Sequence, residues 1–195
     1  MNMRHDEIRD LLAHEMKEIL NDVETEPQLI PLSGESFNYR SAITTQDARS
    51  DIRARGFWSR QQNAFFDIRV FYPHAGSYLN QTLSKLFETM EATKKREYNE
   101  RINQVEQGTF TPLVFASTGG MGKEASVALK TLAQSISQKR GENFSQVMGL
   151  LRCRVSFALM RAANVCLRGS RPCRPQSFGR DDPARLIVSE ARMDL

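Results

Sequence analysis

Apolar residues recur at intervals of three and four in four stretches of the chain, which is the spacing of one face of an α-helix. The first stretch begins shortly after the N-terminus. The last ends just before Gly169, because glycine commonly follows a helix C-terminus. The spacing predicts helices over residues 5–20, 79–106, 123–138 and 144–168.

Shorter stretches follow the pattern of strands. AFFDIRVFY at 64–72 and FTPLVFAS at 110–117 are almost continuously apolar, as strands buried on both faces are. DIRARGFW at 51–58 alternates crudely between polar and apolar residues, and VETEPQLIPL at 23–32 contains a short extended piece. The predicted order is therefore helix, strand, strand, strand, helix, strand, helix, helix.

This order predicts an α/β fold with a mixed sheet flanked by helices in one domain spanning residues 4–169. The short connection between 51–58 and 64–72 predicts an antiparallel pair. The helix between 64–72 and 110–117 allows a parallel crossover. Residues 170–195 are rich in proline, arginine and glycine without periodicity, which predicts a disordered basic tail.

Charge and cysteine content narrow the classes of function. The net charge of +4 is compatible with a polyanionic partner, and no apolar run is long enough to cross a bilayer. Cys153, Cys166 and Cys173 form no CxxC pair and have no neighbouring histidine, which argues against a zinc site. We expect a reducing intracellular location, with the nucleus as one candidate compartment.

A carboxylate in the middle of the most apolar strand needs an explanation. Side chains alternate across a strand, so Asp67 and Arg69 share a face with Phe65 and Phe71. The opposite face is expected to meet the core through Phe66, Ile68, Val70 and Tyr72. Burying an unpaired carboxylate costs several kcal/mol, so Asp67 either pairs with Arg69 as a structural ion pair or binds a cation.

A second carboxylate, Asp51, opens the preceding strand and lies near Asp67 if the two strands pair. Two carboxylates in close proximity repel each other, and Mg²⁺, which favours one or two carboxylates plus water and phosphate oxygens, relieves that repulsion. Phosphodiester hydrolysis also uses an ammonium group to orient water and stabilise negative charge. Lys94 and Lys95 on the next helix are candidates, with Tyr98 on the same face.

These residues, in this order, resemble the PD-(D/E)XK restriction-like endonuclease superfamily. RHDEIRD, EPQLIPL, ARSDIRARGFW, AFFDIRVF, KKREYNER and FTPLVFASTGGMGKEA are similar to domains associated with retroelement reverse-transcriptase polyproteins. The resemblance implies a restriction-endonuclease-like core with an added C-terminal helix. It also implies that Asp51 and Asp67 are metal ligands for Mg²⁺ and that DNA is the partner.

The chain departs from the family motif at two positions. The proline and aspartate of the motif are not adjacent here, because Ser50 precedes Asp51. The motif has a lysine two residues after the second acid, where this sequence has Arg69, and arginine is a poor substitute for lysine in activating water. Some members place the lysine on the following helix, which suits Lys95 or else Lys94. Tyr98 and Arg69 are then expected to support the substrate phosphate.

Several alternatives stay open from the sequence. Some related nucleases have an additional outer carboxylate on the first helix, and the candidates for it here are Glu7, Glu15 and Glu18. His5 is predicted to be a capping or surface residue.

The leading function is a metal-dependent DNA endonuclease of retroelement origin, with a reverse transcriptase as a candidate partner. The other functions are an inactive nucleic-acid-binding module that keeps the fold, and a folded fragment without retained activity.

Overall fold

The computed structural model describes residues 3–30 and 49–168, so the predicted tail at 170–195 lies outside the described residues. The elements follow the predicted order, with a 3₁₀ turn at Gly76–Tyr78 before the second helix. They are α1 (Met3–Ile19), β1 (Val23–Thr25), β2 (Ile52–Arg55), β3 (Asn63–Phe71), α2 (Leu83–Gln104), β4 (Thr109–Ala116), α3 (Lys123–Arg140) and α4 (Phe144–Arg168).

The described residues form a mixed α/β structure with one four-stranded sheet in the order β1-β2-β3-β4. β1 pairs with β2 and β2 pairs with β3 in antiparallel fashion, whereas β3 and β4 are parallel. The predicted antiparallel pair and the predicted parallel crossover are both confirmed. None of the four helices in the described part of the chain is long and apolar enough to span a bilayer.

Helices cover both faces of the sheet. On one face, Phe66 and Ile68 of β3 pack into the main core with apolar residues of α1, α3 and α4. On the other face, α2 covers Phe65, which packs with Ile102, and also covers Phe71. This two-sided burial explains why β3 is almost continuously apolar, as a strand with one solvated face would not be.

The strand and helix limits differ from the predicted ones where local chemistry ends an element. Tyr72 lies beyond the end of β3 and is 53% exposed, so its predicted place in the core is wrong. β2 ends at Arg55 because Gly56 follows with a φ of 87°, a left-handed conformation that glycine adopts without strain. α2 begins at Leu83 because the Thr82 hydroxyl accepts a hydrogen bond from the Lys85 amide and caps the helix.

Candidate metal centre

Asp51 and Asp67 lie at the same end of the β2–β3 pair. The antiparallel register ends at the Ile52–Phe66 pair, and Asp51 and Asp67 are the next residues beyond it on the two strands. The Asp51 amide donates to the Phe66 carbonyl at 3.0 Å, so the two backbones remain in contact beyond that pair. The side chain of Asp51 also reaches across, since its Oδ2 accepts the amide of Ile68. Ile68 directly follows Asp67, so the hydrogen bond from its amide holds the Asp51 carboxylate close to Asp67, and the predicted proximity of the two acids has a structural basis.

Asp67 is a buried carboxylate with only 5% of its surface exposed. The pKa of Asp67 is raised to about 6. Burial is the largest cause, the charge of Asp51 acts in the same direction, and the Lys94 ammonium opposes both effects. The Lys94 Nζ lies 3.0 Å from Asp67 Oδ2. Among the described residues, that oxygen nevertheless has no hydrogen-bond donor in good alignment. The site therefore holds a buried acceptor oxygen whose bonding capacity is only partly used.

The two candidate lysines of α2 have different partners. Lys94 reaches Asp67, whereas the Lys95 Nζ lies 2.5 Å from Glu124 Oε1 at the start of α3. Successive residues of an α-helix are rotated by about 100° around its axis, so the side chains of Lys94 and Lys95 point in different directions. The geometry therefore favours Lys94 as the helix lysine that accompanies the two acids, whereas the sequence favoured Lys95.

Tyr98 stands one turn after Lys94 on the same face of α2. The Lys94 Nζ lies 5.2 Å from the centre of the Tyr98 ring, and that ring stacks on Phe110 of β4 at 5.1 Å. Burial raises the pKa of the Tyr98 hydroxyl, and the negative charges of Asp67 and nearby acids raise it further, together with a hydrogen bond to Asp67. Tyr98 is thus a neutral donor held against the acid pair, as its predicted position on the Lys94 face requires.

Arg69 does not provide the partner of Asp67. The side chain is half-buried, and among the described residues Asp67 forms its ion pair with Lys94 instead. The alternative of a structural Asp67–Arg69 pair, which the sequence left open, is therefore not the arrangement found. The cation that accompanies the second acid comes from α2 and not from the strand.

Two of the three α1 glutamates predicted as candidate outer carboxylates have ion-pair partners elsewhere, and the third, Glu7, lies on the main-core side of the sheet. Glu15 pairs with Arg154 of α4, and Glu18 pairs with Arg140 of α3 at 2.5 Å. Glu7 lines a groove between α1 and α4 together with residues such as Phe157. These contacts tie α1 to the neighbouring helices on the main-core side of the sheet.

The residue of α1 that does reach the acid pair is His5, which the sequence interpretation treated as a surface or capping residue. His5 Nε2 lies 2.8 Å from Asp51 Oδ2, and Nδ1 lies 3.2 Å from Asp6 Oδ1. The hydrogen bond that His5 donates to Asp51 raises the pKa of His5, burial opposes this, and the negative charges of Asp51 and Asp6 add to the rise. The available signal in the sequence was that His5 and Arg9 share one face of an amphipathic helix.

The donor set fits a divalent cation that prefers oxygen ligands better than a soft metal that prefers thiolate ligands. The described residues contain no group of three or more His, Cys, Asp and Glu side chains that could hold a metal ion. Two carboxylates, with water and phosphate oxygens completing the coordination sphere, are a common set for Mg²⁺. The incompletely bonded oxygen of Asp67 is the structural observation that fits such an ion.

Comparison with known proteins does not identify the chain. No protein-family model matches it, and a search of curated proteins gives no match either. A functional assignment therefore depends on the chemistry of the site described above.

Proposed function

We propose that the protein is a Mg²⁺-dependent endonuclease domain that hydrolyses phosphodiester bonds in DNA. The proposal includes a restriction-endonuclease-like fold, of the type associated with retroelement reverse-transcriptase polyproteins, and a reverse transcriptase as the functional partner. The observation that carries it is the buried Asp67, with the charge of Asp51 close enough to raise its pKa and the Lys94 ammonium 3.0 Å from Asp67 Oδ2. The element order and the mixed sheet support the fold assignment.

Each side chain of the site has a distinct role in this proposal. Asp51 and Asp67 would hold Mg²⁺, which activates water and neutralises charge on the scissile phosphate. Lys94, held beside Asp67, orients the attacking water and stabilises negative charge that develops on the phosphate. Tyr98 stacks on Phe110, which fixes its ring, so its hydroxyl is held as a donor next to Asp67.

The position of Lys94 bears on the replacement of the motif lysine by Arg69. A lysine two residues after Asp67 would project from β3, where Arg69 stands. Lys94 supplies an ammonium group to the same carboxylate from α2, so the loss of the strand lysine does not remove the cation from the site. Arg69 is half-buried and is the next residue along β3 on the same face as Asp67. We propose that it contacts the substrate phosphate.

A plasmid-cleavage assay in Mg²⁺ tests the proposal with conservative variants. Asp67→Asn keeps the shape and removes the charge, and we expect cleavage to fall to background. Lys94→Gln removes the ammonium group, and we expect the rate constant to fall about 100-fold to 1,000-fold, the usual effect of losing one electrostatic contact to the transition state.

Lys95→Gln is the matched control, because Lys95 neighbours Lys94 in sequence and pairs with Glu124. We expect it to retain cleavage within about threefold, since surface ion pairs contribute little. Equal rates for wild type and Asp67→Asn would overturn the proposal. A larger loss in Lys95→Gln than in Lys94→Gln would assign the roles in the reverse order.

The alternative is an inactive nucleic-acid-binding module that keeps the nuclease fold, and Arg69 in place of the motif lysine is the observation that favours it. Binding to DNA would then depend on salt and not on a divalent ion. Retention of labelled DNA at low salt, unchanged by EDTA and without cleavage in Mg²⁺, is the result that would support this function over the first.

A further inference from the structure

His5 makes a contact that the proposed mechanism does not use, because its Nε2 lies 2.8 Å from Oδ2 of Asp51. We infer that His5 is a positioning residue for the metal ligand Asp51. It holds Oδ2 in place so that the other carboxylate oxygen, Oδ1, is presented to the ion shared with Asp67. The inference rests on the proposed function, since it concerns the same metal centre.

Two donors from different elements converge on one oxygen of Asp51. The Ile68 amide of β3 donates to Oδ2, and His5 Nε2 from the first turn of α1 contacts the same atom. A carboxylate held at one oxygen from two directions has little freedom to rotate. Oδ1 is then the oxygen left for coordination, and the sheet and the helix together determine its direction.

His5 is itself held on its other side. Its Nδ1 lies 3.2 Å from Asp6 Oδ1, and the same Asp6 oxygen receives the Arg9 guanidinium at 3.4 Å. Arg9 also pairs with Glu26, which follows β1. The Glu26 amide donates to the Asp51 carbonyl at 2.9 Å, so the chain of contacts returns to the residue where it began. The first turns of α1 therefore hold both the side chain and, through Glu26, the backbone of Asp51.

This arrangement has a consequence for metal affinity. Mg²⁺ requires nearly ideal octahedral geometry, so a ligand free to rotate binds it less well than a fixed one. Loss of an outer hydrogen-bond partner of a metal ligand typically weakens metal binding about 10-fold to 100-fold. His5→Ala is expected to fall in that range although His5 does not coordinate the ion.

Calorimetric titration of the full chain with MnCl₂ tests this inference apart from catalysis, since Mn²⁺ prefers the same carboxylate and water ligands as Mg²⁺. The variants are His5→Ala, His5→Gln, Asp67→Asn and His14→Ala. Glutamine keeps a side-chain amide donor near the position of the imidazole Nε2. His14 is the matched control, because it lies on the same helix but lines the groove between α1 and α4.

We expect His5→Ala to raise the dissociation constant for Mn²⁺ about 10-fold to 100-fold, His5→Gln to recover most of that loss, and His14→Ala to match wild type. A purely structural role would lower the melting temperature equally in His5→Ala and His5→Gln without the recovery of affinity. If His5→Ala does not fold, His5→Gln and a His5→Leu variant are compared in its place, and equal affinities for that pair overturn the inference.

Different outcomes of this experiment contradict the metal centre and the positioning role of His5. No Mn²⁺ binding by wild type, or equal binding by wild type and Asp67→Asn, overturns the metal centre and the inference with it. Mn²⁺ binding that needs Asp67 but is unchanged in His5→Ala overturns the inference alone and leaves the proposed function standing.

Discussion

Asp67 is the residue at which the fold and the site have opposite requirements. Folding places its carboxylate among apolar side chains beside Asp51, and both surroundings penalise the ionised form and raise its pKa to about 6. Lys94 reduces the penalty without removing it. A buried acid of this kind destabilises the folded protein when ionised, and a divalent ion removes that cost.

This conflict predicts a pH dependence of stability in the absence of metal. The pKa of Asp67 is raised from 3.8 to about 6 on folding, so between about pH 4 and pH 6 the folded state binds the proton that the unfolded state has lost. The contribution of Asp67 to the free energy of unfolding therefore falls as pH rises through that window, by about 3 kcal/mol in total.

Asp67→Asn should abolish this dependence, because asparagine carries no titrating group. Urea unfolding in EDTA at pH 4 and at pH 7 measures it. We expect Asp67→Asn to be more stable than wild type by about 1–3 kcal/mol at pH 7 and close to it at pH 4. Asp10→Asn, an exposed acid of α1, serves as the control. Parallel pH profiles for wild type and Asp67→Asn would contradict the prediction.

At the scale of elements, α2 connects the acid pair to the start of α3. Lys94 and Tyr98 lie one turn apart on one face and meet Asp67, whereas Glu91 and Lys95 lie one turn apart on the neighbouring face and meet Glu124. The Glu91 carboxylate is largely buried and accepts the Glu124 amide at 3.1 Å, so it caps the N-terminus of α3 from another helix. α2 therefore contributes side chains to the candidate site and also caps the N-terminus of α3.

The close approach at this junction gives a prediction for Gly122, the residue just before α3. A Cβ built on Gly122 would lie 2.1 Å from Glu91 Oε1, so Gly122→Ala must displace the capping carboxylate. We expect a loss of about 1–2 kcal/mol in the free energy of unfolding, the usual effect of losing a cap. In a Glu91→Ala background the same substitution should cost much less, because the obstructing carboxylate is gone.

Gly149 of α4 is the matched control, because nothing lies within 4 Å of a Cβ built there. Gly149→Ala should stabilise the protein by about 0.5–1 kcal/mol, since alanine loses less backbone entropy in a helix interior. Chemical denaturation of both variants measures the contrast. Stabilisation by Gly122→Ala would show that Glu91 does not hold the start of α3.

At the scale of the whole molecule, the sheet lies between α2 on one face and α1, α3 and α4 on the other. Phe66 marks the centre of the three-helix face, with none of its surface exposed and its ring 5.0 Å from that of Phe57. The candidate site lies on the α2 face and at the strand ends. The Phe66 side chain enters the main core on the face of β3 opposite to the Asp67 side chain.

Phe66→Ala measures the contribution of the main core to stability. Removing a fully buried phenylalanine should cost about 3–5 kcal/mol, because the surrounding helices fill the cavity only in part. Phe157→Ala, at a position 57% exposed, should change stability by less than about 0.5 kcal/mol. Guanidinium denaturation measures both, and a similar cost at the two positions would contradict the burial pattern.

The sequence by itself determined the elements and their order. Helical spacing and continuous apolar runs are local properties, so four helices, the two long strands and the pairing directions of β2, β3 and β4 followed from short-range physics. The element limits at Tyr72 and at the start of α2 did not, because a single capping threonine or a strand end depends on the path of the neighbouring chain. The predicted pairing of 51–58 with 64–72 also placed Asp51 near Asp67.

Only the tertiary structure decided which side chains complete the candidate site. Lys94 and Lys95 are indistinguishable in sequence, and their roles separate because α2 packs on the sheet with one of them toward Asp67 and the other toward Glu124. His5 lies 46 positions before Asp51 in the sequence, and no local pattern predicts the contact between them. The physical reason is the same in both cases. Long-range packing fixes the rotation of a helix against the sheet, and only this rotation decides which residues a side chain of the helix contacts.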